Sequence, residues 1–298
     1  MDTAMAQLEP EASKGWLAFL ELVANQRGGR TVLGRNSHRG PLRVQRPFYP
    51  EGGICHAYIL HPPGGLVAGD ELDIRIHCEA GAQLLVTTPS AGRTYGSNRD
   101  RLKQSQRVSI RVESDARCEW LPQESIVFDQ AEASNSVHVS LAESADFSAW
   151  EITCLGRPAA NEDFDNGRLS QSIEVWREGR PLLIERSEYL GGDALLRAPW
   201  GLGGARVVGT LVSTATEAGV ESLREVVEQV NDRASCLTAS DLPFSRPLVA
   251  LTALPELVVV RAFGANAAAV KAVFMALWQT MRLTQSGREA AAPRIWFT

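Results

Sequence analysis

The chain lacks the signatures that mark many protein functions. Its 298 residues include five cysteines. These are Cys55, Cys78, Cys118, Cys154 and Cys236, widely spaced and without a CxxC pair. An odd, scattered set argues against a disulfide framework and predicts reduced thiols. No apolar run approaches the ~18 residues of a membrane-spanning helix. The residues after Met1 carry neither the basic nor the apolar region of a secretion signal. Together these absences predict a cytoplasmic protein without a membrane partner. No Lys/Arg cluster is interleaved with aromatics and the formal net charge is −5, so nucleic acid is not an expected ligand. The glycine-rich stretches at 64–69 and 201–204 lack the Lys-Ser/Thr of a phosphate-binding loop, and neither fits strand–GxGxxG–helix. No G-x-S-x-G elbow occurs.

What the sequence does contain is a closely specified backbone between Gly40 and Asp70. Prolines at 41, 47, 50, 62 and 63 fix φ and remove backbone donors, while Gly64, Gly65 and Gly69 permit positive φ. A segment so constrained shapes a surface or a passage. Beyond it, period-two alternation dominates. Leu72, Ile74, Ile76 and Cys78 share one phase; Val108, Ile110 and Val112 repeat it, as do Val137, Val139 and Leu141, and then Ile173 and Val175. Turn residues such as Gly81, Pro89, Ser114-Asp115 and Asn166-Gly167 separate these runs. The pattern predicts a mainly β body of many short strands in packed or coiled sheets.

The last third changes period. Leu223, Val226, Val227 and Val230 follow helical spacing, and Val270, Val273, Phe274, Leu277, Trp278 and Met281 follow it more strongly. Asn266 is placed to cap the second helix and Gly287 to end it. Leu257–Val260 reads as a buried strand between the two helices. The expectation is one domain over 1–298 with two C-terminal α-helices, the alternative being a small α+β subdomain over about 206–298.

Several chemistry-bearing groups need weighing. Cys55, His56 and His61 include metal-ligating types but lack the second pair of a closed zinc site. Adjacent strand residues also point to opposite faces. The competing reading is a structural histidine capping the Pro-Pro-Gly-Gly turn. His77 and His138 fall in the polar phase of their strands. Glu124 and Asp129 could serve a β-rich hydrolase as paired acids, or one could cap the turn after Pro122. Glu51, Asp70, Glu151 and Glu185 sit in apolar or loop settings where a carboxylate needs a partner. Arg43, Arg46, Arg157 and Arg186 are candidate partners.

Six motifs then occur in order: VQRPFYPE (44–51), HPPGGLVAGDEL (61–72), TTPSAGRTY (87–95), WLPQE (120–124), CLGRP (154–158) and PRIWFT (293–298). Together they resemble the urease accessory protein family UreD, also called UreH, from about Gly15 to Thr298. The sequence departs from the family pattern at Ala68, Arg93 and Gly96, and at Glu151, where Asp is common. The resemblance implies a non-enzymatic nickel-insertion chaperone with a β-helical body and two helices. Its implied partners are apo-urease, UreF and the GTPase UreG. It also implies a water-filled tunnel carrying Ni²⁺ in transit, with no tightly bound cofactor. Acidic tunnel positions would correspond here to Glu51, Asp70, Glu151 and Glu185. Carboxylates suit such transit because they hold nickel less firmly than imidazole or thiolate would. A pure docking scaffold without a metal passage is the other reading the resemblance leaves open.

Overall fold

The structure is a computed structural model that describes residues 15–235 and 246–297; Cys236 lies outside the described residues. The chain opens with the antiparallel pair β1 (Leu17–Arg27) and β2 (Arg30–Arg39), followed by the short β3 (Arg43–Val44). It then winds through β4 (Cys55–Leu60), β5 (Glu71–Cys78), β6 (Gln83–Thr87), β7 (Gly92–Thr94) and β8 (Gln104–Val112). Winding continues through β9 (Arg117–Trp120), β10 (Ser125–Val127), β11 (Glu132–Leu141), β12 (Asp146–Leu155) and β13 (Arg168–Arg177). After β14 (Arg180–Leu190) come the one-turn α1 (Ala194–Arg197), β15 (Val207–Thr214) and α2 (Glu217–Ser235). The chain then forms β16 (Leu248–Ala253), β17 (Leu257–Gly264) and α3 (Ala267–Ser286).

Between β4 and β13 the chain passes back and forth between two sheets. A seven-stranded sheet has the order β14-β13-β11-β8-β5-β1-β2, and β1, β5, β8, β11 and β13 pair in parallel along it. The facing ten-stranded sheet runs β16-β17-β15-β12-β9-β6-β4-β3, with β4, β6, β9 and β12 parallel. Each coil of chain therefore gives one strand to each sheet, which is the β-helical winding the resemblance implies. At one corner a third, short ladder joins Leu66 to Thr94, β7 to β10 and β10 to β12.

The apolar phases read from the sequence explain the register. Leu20, Ile74, Val108, Val137 and Ile173 lie side by side across five strands, and Leu22, Ile76, Ile110, Val139 and Val175 form the next row. All are buried between the sheets. A one-residue slip of any strand would turn its whole apolar set toward solvent, so the pattern pins the coils.

A second core lies on the outer face of the ten-stranded sheet, where Trp150 and Ile152 of β12 meet Phe274, Leu277 and Trp278 of α3. Asn266 caps α3 by accepting from the Ala269 amide, and Gly287 ends it in the left-handed region at φ 62°, both as read from the sequence. The C-terminal region brings no sheet of its own. β15 pairs with β12 from Ser148–Ser213 to Cys154–Val207, and β17 and β16 extend the same sheet. No helix among the described residues is long and apolar enough to cross a membrane.

Candidate functional site

Loops from successive coils stack at the corner carrying the third ladder. His61–Gly65 follows β4, Thr88–Ala91 follows β6 and Leu121–Glu124 follows β9. Backbone hydrogen bonds hold them in step, from Leu66 N–H to the Arg93 carbonyl and from Gly92 N–H to the Glu124 carbonyl, both 2.8 Å. Gly65 is required by this closeness. A Cβ there would lie 2.6 Å from the Tyr95 ring and 2.8 Å from the Arg93 oxygen. Three of the six family-like motifs thus occupy one corner of the winding.

Behind these loops, between the two sheets, is a cavity of about 430 Å³. Its wall includes Leu42, Leu60, His61 and Leu66, so the constrained Gly40–Asp70 segment does bound an internal space. The cavity exists because one inward row of the seven-stranded sheet turns polar. Next to the apolar rows runs Ala18–Leu72–Gln106–Asn135–Gln171, in register across β1, β5, β8, β11 and β13. Gln106, Asn135 and Gln171 line the cavity, facing Glu151 and Thr153 of β12. Gln171 Nε2 donates to Thr153 Oγ1 at 2.9 Å. Beside it lies a small pocket, or neck, of about 20 Å³ that shares Glu151, Thr153 and Gln171 with the cavity and is also bordered by Glu185, Tyr189 and Thr210. That volume suits about one water.

The four acids singled out in the sequence separate into two groups. Glu151 and Glu185 border the neck together. Glu151 is half-buried and no donor among the described residues reaches its carboxylate, and burial pushes it up to about 7. Glu185 accepts from Arg261 Nη2 at 2.6 Å.

Glu51 and Asp70 point elsewhere. Asp70 is buried and spends both oxygens on backbone amides, Oδ1 on Trp16 N–H at 2.7 Å and Oδ2 on Val67 N–H at 2.9 Å. Glu51 accepts from His56 Nε2 at 2.8 Å and from both Arg282 Nη atoms at 3.1 Å. Burial raises the Glu51 carboxyl, but the bonds from His56 and the Arg282 charge outweigh it and hold the group below its ordinary range. Neither residue lines the cavity or its neck.

Other expectations divide similarly. None of Arg43, Arg157 and Arg186 pairs with the four acids: Arg43 bonds His38 and nearby carbonyls, Arg157 pairs with Glu162 and Arg186 with Glu174. The true partners, Arg282 and Arg261, come from the C-terminal region. His56 caps no turn; its ring is wholly buried against Glu51. Cys55 turns the other way into the core between the sheets, where burial pushes its thiol up to about 11. His61 borders the cavity and burial lowers its pKa, against a weaker opposing pull from Asp70. His77 and His138 lie on the outer face beside Glu113 and Glu174. Glu124 lines the cavity mouth, whereas Asp129 accepts from the Asp165 and Asn166 amides at 3.0 and 2.6 Å. The pair a hydrolase would need is not assembled. Among the described residues, no group of three or more His, Cys, Asp and Glu is disposed to hold a metal ion.

A family model for the UreD urease accessory protein matches residues 17–297. The chain belongs to the UreD family. Curated relatives agree along its length. A urease accessory protein UreD from Saccharophagus degradans is 39% identical over 97% of this chain and 96% of its own. One from Methylobacillus flagellatus is 39% identical over the whole of both chains, and one from Azoarcus sp. is 41% identical over 96% of each.

Two features of this UreD-family chain escaped the reading of its sequence. The amide row was one, although Gln106, Asn135 and Gln171 each stand two residues before the first apolar residue of their run, Val108, Val137 and Ile173. The other was Arg282, buried to 1% exposure. It stands four residues after Trp278, a charge continuing the buried stripe of α3.

Proposed function

We propose that this chain acts in urease maturation as a scaffold and a conduit. On this reading it binds apo-urease together with UreF and the GTPase UreG in the cytoplasm, and Ni²⁺ crosses its interior on the way to the urease active site. One observation carries the reading: the cavity between the two sheets, where a row of amides faces Glu151, and the small pocket beside it flanked by Glu151 and Glu185. A sandwich interior ordinarily closes on apolar side chains at near-crystalline density. An amide row facing a carboxylate that no donor among the described residues reaches costs stability unless it is solvated. Nickel is the guest that fits the family, and scattered oxygen donors suit an ion that must leave again. The family's role in urease maturation also favours a non-catalytic protein.

Co-expression of urease and its accessory proteins with E151L/E185Q tests this. The expected result is a complex with UreF and apo-urease recovered in wild-type amounts, while nickel per urease falls several-fold. Full nickel loading with both carboxylates removed would leave only the docking role.

A further inference from the structure

Within a largely apolar cavity wall, the seven-stranded sheet places three neutral amide side chains. Gln106, Asn135 and Gln171 occupy equivalent positions on adjacent parallel strands, so their side chains follow one another at about 4.8 Å intervals. In a structural amide ladder the groups would bond to one another along the stack. Here they do not. Gln171 reaches across to Thr153, and the amides of Gln106 and Asn135 have no hydrogen-bond partner among the described residues. Half-buried amides in that condition are satisfied by water. The cavity has room for on the order of ten waters.

We infer that Gln106, Asn135 and Gln171, with Thr153, form a neutral oxygen-donor rail that keeps the cavity wet and conducts a hydrated divalent cation to Glu151 at the neck. This rests on the conduit reading and identifies the groups that would serve it. Charge explains why amides fit such a rail. Carboxylates stacked at one strand's spacing would repel one another when empty and bind a cation firmly when filled. Carbonyl and hydroxyl oxygens instead bond the water around the ion, an interaction easily exchanged for the next one along. The neck admits about one water at a time. The ion must shed most of its hydration there, which is where Glu151 and Glu185 stand. Of the four acids, only these two are placed to replace lost water ligands.

The test compares three complexes made with urease and its accessory proteins: wild type, Q106L/N135L/Q171L, and E151L/E185Q. For the leucine variant we expect normal recovery of the complex and at least a fivefold loss of nickel per urease. N135Q, which keeps the amide, should retain wild-type loading. If the leucine variant loads nickel normally while E151L/E185Q does not, the rail is wrong and the conduit stands. If neither variant loses nickel, both fall. A wild-type crystal pressurised with xenon gives a check independent of variant folding. Ordered waters on Gln106 and Asn135 support the rail, and xenon seated there shows a dry cavity and overturns it.

Discussion

Buried Arg282 grips Glu119 through two hydrogen bonds, from Nε at 2.7 Å and from Nη2 at 2.8 Å. Trp278 Nε1 donates to the same carboxylate at 2.9 Å, and Glu51 with His56 completes the cluster. One side of this network is α3 and the other is the winding, through β9, β4 and the loop before β4. It fixes the C-terminal helix to the outer face of the ten-stranded sheet.

R282M should therefore cost about 3–5 kcal/mol, because it strands Glu119 and Glu51 as buried charges without their cation. E119Q should also destabilise. The double variant R282M/E119Q should lose at least about 1 kcal/mol less than the two single losses added together. Urea titrations of the four proteins measure this. Strict additivity would mean that the two residues do not act as a pair.

Asp70 is expected to behave as a structural residue. D70A leaves the Trp16 and Val67 amides without their acceptor and should cost about 2 kcal/mol in urea unfolding. Because neither oxygen faces the cavity, nickel per urease should stay normal wherever D70A is folded and bound to its partners. A selective loss of nickel in a stable D70A complex would place Asp70 on the ion's route instead.

How α3 seats on the winding gives a packing test. A Cβ on Gly209 of β15 would lie 2.7 Å from Val270 and 2.8 Å from the Phe274 ring. G209A should overpack this contact and cost about 1–3 kcal/mol, read as a lower urea midpoint with an unchanged slope. Wild-type stability would show that α3 can shift without cost.

Legibility in the sequence followed the range of each interaction. Strand alternation and the Asn266 and Gly287 caps are local, so both were readable, and the apolar phases even foreshadowed the register between coils. Which strands adjoin is not local, and the β-helical winding rested on the family resemblance. Side-chain partners were least legible. The family resemblance made Glu51 a tunnel position, and its local setting showed only that it needs a partner; that partner, Arg282, lies 231 residues away. Glu151 was recognisable as an acid among apolar neighbours because its own strand sets that environment. The amide row left a periodic trace, but one noticed only when strands are aligned on their first apolar residue.

The pH dependence of stability isolates Glu151. Burial raises its carboxyl to about 7, against an ordinary value of 4.5. The folded chain thus holds this proton more tightly than the unfolded chain, so its contribution favours folding at low pH. That contribution declines as pH climbs from the ordinary carboxyl range to about 7 and levels off above it. Glu51 acts with the opposite sign, since its lowered carboxyl adds stability that is lost only on acidification. Subtracting the E151Q profile from the wild-type profile removes the Glu51 contribution. E151Q should match wild type near pH 4.5 and exceed it by about 3 kcal/mol at pH 8. Urea midpoints taken at half-unit steps between those limits give the curve. A flat difference would mean that Glu151 titrates alike in the folded and unfolded chains, with enough water in the neck to solvate it as in bulk.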